Sequence, residues 1–165
     1  MAEILDGKAT AKKVRGRLKR VIRELRERCP KPPGSVFIQV GEDPASTTYV
    51  NTKQRMAERI GINSSIERFP DSITQEMLLD RIGELNNDAN VHAILTQLPL
   101  PDHIDEDAVV QSISPAKDVD CFHPENVGRL AIGLPGPAPA TPAGVLLLLD
   151  EYGIDVKGMN ATIVG

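Results

Sequence analysis

Only two of the 165 residues are cysteine, Cys29 and Cys121, too few for a disulfide framework. Tryptophan is absent and aromatics make up 3% of the chain, so a tyrosine in a polar setting stands out. The longest unbroken apolar run, Val145 to Leu149, is far short of the roughly 20 residues that cross a bilayer, and the first residues lack the apolar stretch of a signal peptide. The net charge is −4, the wrong sign for a nucleic-acid or anionic-membrane partner. These absences predict a cytoplasmic protein with neither partner.

What is present is alternation. Val14, Leu18, Val21 and Leu25 recur at helical spacing and predict a helix from Gly7 to Arg28, stopped by Pro30, Pro32, Pro33 and Gly34. Its other face carries Lys12, Lys13, Arg17, Lys19, Arg20 and Arg23, and the interspersed Glu24 and Glu27 favour a solvated face over a phosphate site. A strand at 35–40, a helix from Ser46 to Ile60 closed by Gly61, and a short strand about Ile66 follow. Ser72 resembles an N-cap with Gln75 three residues on, opening a helix with the stripe Leu78, Ile82 and Leu85. Val91 to Leu95 reads as a buried strand. This pattern predicts an α/β protein, a three-layer lobe with a mostly parallel sheet and helices on both faces.

Composition shifts after Leu130, and the Pro/Gly-rich stretch from Gly133 to Pro139 sustains neither helix nor central strand. Thr141 as N-cap and Pro142 at the first position predict a further helix through Tyr152, closed by Gly153, before a strand at Ala161–Gly165. The expected organisation is a first lobe at 1–134, a linker at 135–141, and the start of a truncated Rossmann-type lobe at 142–165.

Three segments carry candidate chemistry, each beside a strand. Tyr49 and Lys53, four apart after the strand at 35–40, share one helix face, an aromatic surface with an amine beside it. Taken alone, such a tyrosine more often packs and such a lysine is more often solvated. Gln97, in Thr96-Gln97-Leu98-Pro99-Leu100-Pro101, stands at the end of its strand, where ligands of open sheets bind, although an ordinary strand exit reads the same. In Lys117-Asp118-Val119-Asp120-Cys121, an extended chain would point Asp118 and Asp120 the same way. Without a third acidic ligand, hydrogen bonding or a surface turn fits better than metal binding. Cys121 and His123 have no zinc-like spacing to other cysteines or histidines, so no metal site is expected.

Together these segments, with Val40-Gly41-Glu42-Asp43-Pro44-Ala45-Ser46 and Pro139-Ala140-Thr141-Pro142, closely resemble the bifunctional methylenetetrahydrofolate dehydrogenase and methenyltetrahydrofolate cyclohydrolase family, in order across essentially the whole chain. The resemblance implies a homodimer of longer chains acting on tetrahydrofolate derivatives with NADP. It implies catalytic roles for Lys53, Gln97, Tyr49 and Asp120, and folate contacts from these four together with Leu98 and Asp118. Gly165 would open the family's Gly-Arg-Ser phosphate turn, leaving most of the cofactor site outside this chain. The family usually has Gly where Cys121 stands, so a Cβ there bears on the turn that aims Asp120. It often has Cys where Ala140 stands, and no chemical consequence is assigned to that change. The substrate lobe of a shikimate-type or amino-acid dehydrogenase, or a folate-binding module without catalysis, would share this architecture.

Overall fold

The computed structural model describes residues 4–29 and 31–164. Helix α1 (Gly7–Arg28) leads into strand β1 (Gly34–Val40), helix α2 (Pro44–Ile60) and strand β2 (Asn63–Phe69). Helix α3 (Gln75–Asn87), strand β3 (Ala93–Thr96), helix α4 (Glu106–Ser112), helix α5 (Pro124–Ala131) and helix α6 (Ala140–Glu151) complete the order. The sheet is parallel throughout, in the order β2-β1-β3, with Phe37 of β1 opposite Ile66 and Leu95. Alternation along the central strand divides the core. Val36, Ile38 and Val40 face Leu78, Ile82 and Leu85 of α3 and Val109 of α4, whereas Phe37 and Leu95 face Val50 of α2. Helices therefore cover both faces, as the alternating pattern predicts.

Local chemistry sets the helix ends. The Asp43 carboxylate accepts from Ser46 N at 2.7 Å, Pro44 opens α2, and Gly61 closes it in the left-handed region at φ 100. The helix thus starts two residues before the expected Ser46. Gly41, at φ 78, makes the turn from β1 into α2, and a Cβ there would lie 2.2 Å from Asp71 Oδ1. Thr74, not Ser72, caps α3, accepting from Met77 N at 3.2 Å; Ser72 lies in the preceding turn, and Gln75 accepts from Asp105 N instead.

Other expectations shift by a residue or more. Val91 is buried but precedes the third strand, which runs from Ala93 to Thr96. Helices α4 and α5, of seven and eight residues, are too short to show a period and were not anticipated from the sequence. Pro139 precedes α6 without a side-chain cap, leaving Thr141 inside the helix. Residues 161–164 form no strand, because no neighbour pairs with them, and Gly165 lies outside the described residues. No helix among the described residues is long and apolar enough to cross a membrane.

Helix α1 matches its expected span but not its expected burial. Thr10 and Ile22 are its buried positions, while Leu18, Val21 and Leu25 remain exposed. The basic face is exposed, and Lys13 pairs with Glu151 of α6. The Tyr152 hydroxyl accepts from Asp6 N at 2.8 Å, a second tie between the two ends of the described chain.

Candidate active site

The candidate residues gather at the C-terminal edge of the sheet, where parallel strands hand over to loops and helices. Lys53, one turn beyond Tyr49 on α2, donates from Nζ to Gln97 Oε1 at 3.2 Å. Gln97 directly follows β3; its backbone N donates to Ile38 O at 2.9 Å, carrying the ladder one residue further. Its Nε2 donates to Leu98 O at 2.7 Å, which fixes the amide with its oxygen toward the lysine. The following Leu98–Pro99 peptide is cis.

A cleft of about 440 Å³ opens beside this pair, lined by Lys53, Gln97, Leu98, Asp120 and Phe122, and closed by Pro139 to Pro142 at the start of α6. Asp120 is half-buried there, and burial pushes its carboxyl above the ordinary carboxylate range. The Lys53 charge across the cleft opposes that shift and Asp118 adds to it. A carboxylate held at this cost, facing an amine, is the electrostatic mark of a functional position.

The segment around it is bent, so the alternation expected for Asp118 and Asp120 does not hold. Asp118 turns inward, accepting from Phe122 N at 3.3 Å, His123 N at 3.0 Å and Asn126 Nδ2 at 2.9 Å. Cys121 makes the bend at φ 60, a conformation that a side chain disfavours by roughly 1–2 kcal/mol. The Cβ that set this turn apart from the family pattern is accommodated: the thiol is buried and donates to Pro137 O at 3.4 Å. Lys117, the first residue of the motif, donates to Leu85 O and Asp88 O, both at 2.8 Å, and so ties down the end of α3.

Tyr49 stands apart from the cleft lining with 62% of its surface exposed, its ring free for a stacking partner. Ala140, to which no chemical role was assigned, does line the cleft, and so do Thr96 and Phe122. The signal for Ala140 lay in the Pro139-Ala140-Thr141-Pro142 motif, which reads locally as a linker. A second cleft, lined by Lys19, Arg20, Arg23 and Arg26 of α1, lacks an acid–base set.

A parallel sheet with a lysine–amide pair and a half-buried carboxylate at its carboxyl edge defines the catalytic lobe of an α/β enzyme. The family model described as tetrahydrofolate dehydrogenase/cyclohydrolase, catalytic domain, matches residues 5–120, and the chain belongs to that family. It is 50% identical over its whole length to the bifunctional protein FolD of Streptococcus pneumoniae serotype 4 and spans 58% of that protein. The crystal structure of the bifunctional FolD methylenetetrahydrofolate dehydrogenase/cyclohydrolase of Campylobacter jejuni superposes with a TM-score of 0.90 at 46% identity, covering 93% of this chain and 55% of that one. The Trypanosoma brucei methylenetetrahydrofolate dehydrogenase-cyclohydrolase, solved with NADP cofactor and inhibitor, gives 0.89 at 35% identity, over 94% and 53%. The chain thus spans somewhat more than half the length of these relatives.

Proposed function

We propose that this chain is the folate-side lobe of an enzyme of one-carbon metabolism. The whole protein, a cytoplasmic homodimer, oxidises 5,10-methylenetetrahydrofolate to 5,10-methenyltetrahydrofolate with NADP and hydrolyses the product to 10-formyltetrahydrofolate. The observation that carries this reading is the Lys53–Gln97 contact facing Asp120 across one cleft, in a chain whose family match spans all three residues.

A reduced pterin presents a ring N–H beside an exocyclic amino group, and a carboxylate accepts both. Asp120 takes that role, each charge-assisted bond contributing about 1.5–3 kcal/mol. The Tyr49 ring stacks on the aminobenzoyl ring, worth about 0.5–1.5 kcal/mol beyond burial. Leu98 supplies apolar wall. Lys53 then lies beside the bridging carbon. In the hydrolysis, water adds to the cationic methenyl carbon, one of its protons passes to the ring nitrogen and the other leaves to solvent, and the carbon–nitrogen bond opens to the formyl product. Lys53 carries the proton to the ring nitrogen, and the Gln97 amide keeps Nζ directed at the carbon.

NADP, when bound, supplies the hydride acceptor of the oxidation, and the described residues do not fit its phosphates. Gly41 makes the β1–α2 turn where a pyrophosphate would need open space, yet the Asp71 carboxylate fills the room a Cβ would take. This lobe's part in the oxidation is therefore to hold the folate.

Lys53→Met should abolish methenyl hydrolysis while leaving folate affinity within a few fold, because a proton carrier acts after binding. Steady-state hydrolysis in the full chain, joined to its nucleotide lobe where the gene encodes one, reads this out. Normal turnover would remove Lys53 from the mechanism.

A further inference from the structure

We propose that Asp118 and Asn126 are positioning residues, a buried pair that sets the bend carrying Asp120 and so holds that carboxylate toward Lys53. The inference rests on the folate reading for its ligand and on geometry for the rest.

Asp118 is 7% exposed and Asn126 3%. The carboxylate accepts from Phe122 N, His123 N and Asn126 Nδ2, so its charge is met by three donors and it does not line the cleft. The second N–H of the Asn126 amide goes to Pro115 O at 2.9 Å. Asn126 thereby fastens α5 to the turn before Asp118, while the carboxylate fastens that turn to the residues after Asp120. Upstream, the anchor is the sheet itself: Ile94 N donates to Lys117 O at 2.9 Å, and Ile94 bridges Asp118 in parallel register.

Between the fixed points only Val119, Asp120 and Cys121 are left to turn the chain. With Cys121 at φ 60, such a span leaves little choice of direction for Asp120. A buried carboxylate deprived of a donor must find another or let water in, and either response reshapes the bend. The pair acts through Asp120 and touches no substrate.

The test uses the full chain with Asp118→Asn, Asn126→Asp and the two combined. In the combination the amide and carboxylate exchange places, so one side-chain hydrogen bond and one backbone acceptor persist. Calorimetry with 5-formyltetrahydrofolate gives affinity, thermal denaturation gives the folded fraction, and amide exchange reports Phe122 and His123. Each single variant should weaken binding about tenfold in protein that is still folded, the loss expected for one buried hydrogen bond. The combination should recover part of the affinity and the protection of one of the two amides, Phe122 or His123, that the single variants leave unprotected.

Unchanged affinity in folded single variants would overturn the proposal. So would a combined variant that regains amide protection without regaining affinity, since Asp118 would then be touching the folate itself. Wild-type chain that binds no folate would defeat the folate reading alone. The exchange experiment still decides the pair, because unprotected Phe122 and His123 amides in folded wild-type chain would refute it.

Discussion

Asp120 is held where its charge is disfavoured. Burial, then the neighbouring Asp118, raise its carboxyl, with Lys53 opposing. A folded-state value above the unfolded one means that the folded chain binds more protons across that interval. Stability therefore falls as pH rises through it, and the penalty is complete above the folded-state value. Asp120→Asn removes the penalty, so the variant should melt higher than wild type at pH 7, with the difference vanishing in acid below the ordinary carboxylate range. An amide cannot accept from both pterin donors, and folate affinity should drop tenfold or more. Thermal melts across pH and folate calorimetry check both halves. A variant that melts no higher at pH 7 would show that the charge carries no strain.

Helix α2 carries Tyr49 and Lys53, and its first turn is the element on which their placement depends. Asp43 accepts from the Ser46 backbone, and that hydrogen bond leads the causes holding its carboxyl below the ordinary range. Here the sign is opposite to that of Asp120: the stabilisation is present above the unfolded-state value and is lost as pH falls through the folded one. Asp43→Ala should lower the melting temperature at pH 7, with a difference from wild type that fades in acid. A difference independent of pH would mean that the capping charge is not what matters. The sequence pattern places the start of α2 two residues late because Ser46, also a favoured cap residue, instead donates its backbone N–H to the capping Asp43 carboxylate.

At the scale of the whole molecule, the described residues bring Lys53, Gln97 and Asp120 around one cleft, and on the folate reading they supply no phosphate turn. Val145 and Leu146 of α6 are exposed at 53% and 54%, and Ile163 and Val164 at 94% and 93%, an apolar surface that neighbouring elements of a nucleotide lobe would bury. A dinucleotide site requires a glycine turn, the helix behind it and flanking strands. The 165-residue chain should therefore bind a reduced folate but not NADP. Titration calorimetry with each ligand separates the outcomes, and micromolar NADP binding would show that the lobes do not divide the work in this way.

Period and punctuation determined much of this protein in advance. Leu78, Ile82 and Leu85 could face only a core, Gly61 could only end a helix, and Tyr49 with Lys53 had to share a face once α2 formed. Those are local consequences of helical geometry and backbone sterics. The tertiary structure decided which polar groups meet. Lys53 and Gln97 lie 44 positions apart and touch because β1 and β3 are neighbours in the sheet. Asp118 and Asp120 look equivalent in sequence, yet one is turned into a frame of backbone amides and the other into the cleft. A single left-handed residue between them and α5 makes that division, and no periodicity records it. Ala140 entered the cleft wall for the same reason: the path of a proline-rich linker is set by what it packs against, here the buried thiol of Cys121.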